Sequence, residues 1–298
     1  MQFGIIGLGR MGAALARNAH DHGHDVVAWN RSEKSIAEFK TYGGRGATSI
    51  EDLVRTLNAP RVILLMLPHG APTRNTIETL LPLLDENDIL INGANEHHQT
   101  SRELAALGRE RGVRILDAGI SGGISGARHG ACAMVGGDED AYRTIEPLLT
   151  DICVENGCGY VGTPGAGHYA KMIHNAIEYG MMESIGEGYD LIHASEYDYD
   201  DETLTRIWAN GSVIRSWLID LLLEAIQTNG LDTYPDEIGQ SGEGLWSLRE
   251  ALDRKIATPA IQAAVNRRFM SKNDHATGNR VIQALRAGFG GHDANDHI

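Results

Sequence analysis

The stretch Met1-Gln2-Phe3-Gly4-Ile5-Ile6-Gly7-Leu8-Gly9-Arg10-Met11-Gly12 decides the fold. Residues 2–6 form a short apolar run that reads as a strand, and 10–20 reads as a helix. Between them, Gly7, Gly9 and Gly12 stand in G-x-G-x-x-G spacing. The first glycine permits a tight turn, the second lets backbone approach a pyrophosphate, and the third lets helix and strand pack closely. The pyrophosphate then rests on the helix N-terminus, where N–H groups and the helix dipole favour an anion. The motif alone is weak evidence; between a strand and a helix it is specific.

The alternation continues outward from this turn. Strands are predicted at 25–29, 61–66, 89–92, 113–117 and 131–135, and helices at 33–42 and 101–111. Such alternation predicts an α/β, doubly wound, mainly parallel sheet of Rossmann type. From about Thr163 the texture changes. Helical patterns take over at 169–194, 200–208, 213–227, 246–254, 260–269 and 279–286. The expected organisation is therefore a dinucleotide-binding domain over 1–163 and an all-helical domain over 164–298. The latter would serve substrate binding and oligomerisation, and it ends in a polar tail.

The end of the second strand selects the cofactor. An acidic residue there binds the ribose hydroxyls of NAD. Here the sequence is Trp29-Asn30-Arg31-Ser32-Glu33-Lys34. Arg31 can pair with a 2′-phosphate, and Asn30 and Ser32 can donate to it. NADP is favoured, while the nearby Glu33 leaves NAD open.

In the run Gly165-Ala166-Gly167-His168-Tyr169-Ala170-Lys171-Met172-Ile173-His174-Asn175-Ala176-Ile177-Glu178-Tyr179-Gly180, four polar residues fall at i, i+3, i+4 and i+7. Lys171, His174, Asn175 and Glu178 thus share one helical face among apolar neighbours. A buried polar stripe is costly unless its members are paired or used. A Lys and a Glu two turns apart can act as base and acid on one substrate, or form a structural ion-pair stripe.

The composition bounds the rest. The 298 residues carry a net charge of -14, which argues against nucleic acid and anionic membranes as partners. Three cysteines match no metal-ligand pattern and read as reduced thiols of a cytoplasmic protein, so no metal site is expected. The start enters a strand directly, without a signal peptide.

These motifs, together with Asn92-Gly93-Ala94-Asn95, Ser121-Gly122-Gly123-Ile124-Ser125-Gly126-Ala127-Arg128, the segment 239–246, Arg268 and 286–292, resemble the 6-phosphogluconate dehydrogenase (decarboxylating) family in its short form. That family belongs to the β-hydroxyacid dehydrogenases. The resemblance implies oxidative decarboxylation of a phosphorylated sugar acid with NADP or NAD, in the pentose phosphate pathway. Lys171 would be the base at the C3 hydroxyl and Glu178 the acid at C1, with Asn175, Asn95 and His174 orienting the sugar. Ser121, Gly122 and Gly123 would hold the carboxylate end, and Tyr179 and Arg268 the phosphate. Gly7, Leu8, Gly9, Arg10, Met11, Gly12, Asn30, Arg31, Ser32, Leu67 and Asn95 would surround the cofactor. Arg286 and His292 resemble a tail that completes a neighbouring subunit's site, which implies a homodimer or homotetramer.

The sequence departs from the family at several points. Ser241 and Glu243 replace a usual Lys and Thr near the phosphate, and Glu243 is repulsive there in principle; Lys272 is a candidate substitute. Ala94 replaces a Gly, and Glu96-His97-His98 replaces a Ser or Asn followed by Tyr. The alternatives are a 3-hydroxyisobutyrate-like dehydrogenase for a small hydroxy acid and a non-catalytic NADP(H)-binding sensor. The small-acid enzyme has no need of Glu178, Tyr179, Arg268, Arg286 and His292 as a set. A sensor has no need of the intact stripe.

Arg31→Ala is expected to weaken NADP binding more than NAD binding. Equal losses in a cofactor titration would show that Arg31 does not read the 2′-phosphate.

Overall fold

The computed structural model describes residues 1–272 and 276–290. The first part of the chain runs β1 (Gln2–Ile6), α1 (Arg10–Asp21), β2 (Asp25–Trp29), α2 (Glu33–Thr41), β3 (Arg45–Gly46), α3 (Ile50–Thr56), β4 (Val62–Leu65) and α4 (Ala71–Leu80). It continues through β5 (Ile89–Asn92), α5 (His98–Arg109), β6 (Arg114–Ser121), α6 (Gly123–His129), β7 (Ala131–Gly136), α7 (Glu139–Ile152) and β8 (Cys153–Gly162). The strands form one sheet in the order β3-β2-β1-β4-β5-β6-β7-β8. Every pairing is parallel except β6 with β7. The order steps outward in both directions from β1 and β4, which is the doubly wound pattern the sequence predicts.

Strand periodicity explains the layers. Phe3 and Ile5 of β1 face one core with Leu15 and Ala19 of α1 and Ile145 and Leu149 of α7. Ile6 faces the opposite core with Leu53 of α3, Ile77 of α4 and Leu104 of α5. Alternate residues thus serve opposite helical layers, as a pleated strand requires. The outermost strand β8 carries no comparable signal. Glu155, Asn156 and Gly157 interrupt any apolar alternation, and Asn156 adopts a left-handed φ of 59°.

The remaining elements are helices: α8 (Ala166–His193), α9 (Asp201–Ala209), α10 (Trp217–Thr228), α11 (Glu243–Asp253), α12 (Pro259–Met270) and α13 (Thr277–Gly290). The helix α10 starts four residues later than its apolar pattern suggests. Ser216 caps it by accepting from the Ile219 N–H at 3.4 Å, and a serine cap competes with helix continuation. Tyr189, Leu222, Val265 and Ile282 belong to the helical core. Asp190 ties three helices together. Its Oδ1 accepts from Gly278 N of α13 and its Oδ2 from Arg267 Nη2 of α12, each at 2.6 Å. None of the described helices is long and apolar enough to cross a membrane.

By contacts the chain divides into two compact units, Met1–Lys171 and Met172–Ile298. The division falls inside α8. The strand texture ends earlier, near 163, but the first turns of α8 are bound to the sheet. Asp117 of β6, only 3% exposed, accepts from Gly165 N at 2.7 Å and from His168 N at 2.9 Å. One carboxylate thus satisfies two backbone donors at the start of a long helix, where the dipole also favours it. His168 is pinned in turn by a 2.7 Å contact between Nδ1 and Ser101 Oγ. Gly167 must be a glycine, since a Cβ there would collide with the carbonyls of Asp117 and Met134.

Asp117→Ala is expected to cost about 3 kcal/mol, from two hydrogen bonds to a buried carboxylate, and Asp117→Asn less. Urea unfolding checks this; an unchanged midpoint in the alanine variant would remove the clamp from the account of the fold.

Candidate active site

In the first unit the glycine-rich turn has the form its spacing predicts. Gly7 has φ 101°, and a Cβ there would strike the Met66 carbonyl. A Cβ on Gly12 would strike Gly7 O. Gly9, by contrast, has open space around it, and it caps α1 without a side-chain hydrogen bond. A helix start without a side-chain cap and with open space at Gly9 suits an anion. The turn is locked from the second strand. Leu8 N donates to Asn30 Oδ1 at 3.0 Å, and Asn30 Nδ2 reaches Ser32 O at 3.4 Å. Asn30 thus spends its oxygen on shaping the turn. Arg31 and Ser32 are exposed beside it, at the start of α2. Arg10 is exposed, Met11 and Leu67 half-buried. These features fit a dinucleotide.

The loop after β5 is held by a residue type that its sequence position does not explain. Glu96, 5% exposed, accepts from Gly70 N at 2.7 Å through Oε2 and from His97 N at 3.1 Å through Oε1. Its neighbour Asn95 is exposed. After β6, Gly122 (φ 105°) caps α6 and Gly123 opens it with φ 60°, conformations that favour glycine. Ser121 ends β6 just before them. Lys171 is 9% exposed and stands one turn past His168. A Cβ on Gly119 of β6 would collide with the Lys171 Cβ, so Gly119 makes the room in which this lysine is set.

The helix α8 carries the predicted stripe without interruption. In the helical unit, His174 Nδ1 lies 3.1 Å from Asn175 Oδ1 and 3.8 Å from Glu178 Oε2. Asn175 Nδ2 donates to Glu243 Oε1 at 3.1 Å. The segment before α11 is docked on α8 through Tyr179, whose hydroxyl accepts from Ser241 N at 3.3 Å. A Cβ on Gly244 would press on the Tyr179 ring at 2.8 Å.

Arg268 is the most costly residue of this unit. It is 1% exposed, and its Cζ lies 3.5 Å from the centre of the Tyr179 ring. Nη1 donates to Ala264 O at 2.7 Å, while Nε and Nη2 have no partner among the described residues. Burial lowers its pKa to about 10, Tyr179 opposes that shift, and Arg286 adds to it by repulsion. Arg286 is itself buried, bonded to Gln283 Oε1 and packed on Gly239. Two guanidiniums buried together repel each other, and an anion relieves both costs. One turn past Tyr179, burial pushes the Glu183 carboxyl up to about 7 against the pull of Arg267.

Several expectations change on these facts. The sequence suggests that Glu243 faces a phosphate; the structure turns its Oε1 to Asn175. Ser241 pairs with Tyr179. Lys272 is exposed and lies 3.8 Å from Glu237, so it is not built in as a substitute cation. Arg286, resembling a tail that serves a neighbour, is packed within its own helical unit. His292 lies outside the described residues. Sequence reading does not single out Asp117, His168 or Ser101, although an Asp inside the apolar run Ile115-Leu116-Asp117-Ala118 is itself a signal; Glu96 it marks only as a departure from the family pattern.

The comparisons agree with this geometry. Residues 2–162 match the profile of the NAD binding domain of 6-phosphogluconate dehydrogenase, and 167–286 that of the 6-phosphogluconate dehydrogenase C-terminal domain. The NAD(+)-dependent, decarboxylating 6-phosphogluconate dehydrogenase of Haloferax volcanii is 38% identical over 98% of both chains. The Plasmodium falciparum 6-phosphogluconate dehydrogenase, solved in apo form and with NADP+ or 6-phosphogluconate, superposes with TM-score 0.83 at 31% identity. That match covers 91% of this chain but 62% of the Plasmodium chain, so this chain spans about three-fifths of it. A Mycobacterium tuberculosis 3-hydroxyisobutyrate dehydrogenase (TM-score 0.75, 22% identity, 96% of this chain and 99% of that one) shares the fold.

Inorganic phosphate is expected to raise the thermal midpoint of the protein by mass action. Arg268→Met should abolish that shift while leaving the unliganded midpoint at or above wild type, because it removes a buried unpaired charge. A phosphate response retained in the variant would place the anion elsewhere.

Proposed function

The chain belongs to the 6-phosphogluconate dehydrogenase family, and from that premise we propose that it converts 6-phospho-D-gluconate to D-ribulose 5-phosphate and CO2 with NADP or NAD. The observation that carries this reading is the buried Arg268, with two nitrogens that lack a partner among the described residues, beside Tyr179. A small unphosphorylated hydroxy acid offers no second anionic group to the buried Arg268.

When bound, the nicotinamide cofactor accepts the hydride released from C3 of the substrate. The open Gly9 and the uncapped start of α1 suit its pyrophosphate. Lys171 takes the proton of the C3 hydroxyl as the hydride leaves, from the place beside β6 that Gly119 opens for it. Protonated Lys171 then polarises the 3-keto oxygen, and the β-keto acid loses CO2 to leave an enediol. Glu178 protonates C1 of that enediol to give the product. Asn175, His174 and Asn95 orient the sugar hydroxyls. Ser121, Gly122 and Gly123 hold the carboxylate end with a hydroxyl and backbone N–H groups. Tyr179, Arg268 and Arg286 hold the phosphate. Oligomerisation as a dimer or tetramer and a cytoplasmic setting belong to the same reading.

Purified protein given 6-phosphogluconate is expected to reduce NADP or NAD with one CO2 released per turnover. Lys171→Met should abolish oxidation while cofactor binding persists. Glu178→Gln should slow product formation by a factor of about 10²–10⁴, the usual yield of general acid catalysis. Undiminished turnover in either variant would remove its assigned role, and no turnover by the wild type would reject the substrate.

A further inference from the structure

Glu243 is a buried carboxylate that the reaction above does not use. It is 1% exposed and opens α11, where the helix dipole attracts an anion. Its Oε1 lies 3.1 Å from Asn175 Nδ2. On the other side of the amide, Asn175 Oδ1 lies 3.1 Å from His174 Nδ1. The chemistry of the three groups fixes the direction of every proton along this line. An ionised carboxylate only accepts hydrogen bonds. Asn175 must therefore turn its NH2 toward Glu243 and its carbonyl oxygen toward His174. A carbonyl oxygen also only accepts, so the proton on that contact has to come from His174 Nδ1. A neutral imidazole carries one N–H, and Nε2 then holds the lone pair. The reverse amide orientation would set two acceptor oxygens against each other at 3.1 Å inside the protein. Glu178 Oε2, at 3.8 Å from Nδ1, is beyond hydrogen-bond range and does not make this choice.

The geometry points to Glu243 as a positioning residue that acts through Asn175 to hold His174 in its Nδ1–H tautomer, so that Nε2 is presented as a hydrogen-bond acceptor to a substrate hydroxyl. A hydroxyl can donate or accept, and the tautomer decides which. With Nε2 accepting, the bound hydroxyl donates, and the sugar is held in one hydrogen-bond sense. The role in turnover rests on the function proposed above, whereas the tautomer rests on Glu243, Asn175 and His174 alone. It also gives Glu243, an acid beside an anion site, a reason to be there: its Oε1 accepts from Asn175.

The test labels histidine with 15N in the full-length protein and assigns His174 with the variant His174→Gln. At about pH 8, above the ordinary imidazole titration, the two ring-nitrogen shifts read the tautomer directly. The wild type is expected in the Nδ1–H form. Glu243→Ala should lose that preference. Glu243→Gln keeps the shape but adds a donor, so both tautomers should become visible; it decides the matter if the alanine variant does not fold. A wild type in the Nε2–H form, or folded variants with the wild-type shifts, would overturn the inference. Initial rates with 6-phosphogluconate form the second arm. Glu243→Ala is expected to lose about tenfold or more in kcat with KM little changed, because the phosphate contacts are separate. An active wild type with unaltered variant kinetics would end the positioning role. A wild type without turnover would instead end the assigned reaction, and the nitrogen shifts would still decide the tautomer.

Discussion

The position of α8 depends on one carboxylate. Asp117 sits in the middle of the buried part of β6 and takes both Gly165 N and His168 N, so the helix starts where the sheet dictates. Gly167 lets the first turn lie flush on the carbonyls of β6 and β7, and Gly119 makes space for Lys171 one turn on. Helical periodicity then fixes everything downstream. His174, Asn175 and Glu178 follow Lys171 on the same face because 3.6 residues make a turn. Within the first unit, Asp117 therefore fixes where α8 begins and, with Gly119, where Lys171 stands.

The helical unit shows the complementary situation, in which polar groups are buried at a cost. Arg268 has two nitrogens without a partner among the described residues, stacks on Tyr179 and is repelled by Arg286. Burying such a charge is costly, and an anion beside it would offset that cost. Glu243 is handled differently. It too is buried, but its Oε1 is engaged by Asn175. The net charge of -14 gives no hint of this, since local field, and not the sum over the chain, decides what binds.

Much of this was legible before any coordinates. The glycine spacing after β1 and the strand–helix alternation follow from local steric rules, and the sheet order agrees with them. The stripe from Lys171 to Glu178 was legible for the same reason, being a matter of helix period. The edge strand β8 was not, because Glu155, Asn156 and Gly157 carry no strand pattern and pairing with β7 imposes it. The start of α10 falls later than the sequence pattern places it, because Val213 and Ile214 extend a helical pattern that the Ser216 cap cuts off.

The sequence by itself determined which residue types recur at which spacing: the pyrophosphate turn, the polar stripe, and the arginines available for an anion. These are properties of neighbours along the chain, and neighbours are fixed by covalent geometry. The tertiary structure alone decided who pairs with whom across the chain. It sent Asn30 to the glycine turn, Ser241 to Tyr179, Glu243 to Asn175 and Arg286 to the vicinity of Arg268. Partners 22 to 68 residues apart, as for Asn30 with Leu8 and Asn175 with Glu243, leave no local pattern. Their pairing is set by packing and by the need to satisfy each buried polar group.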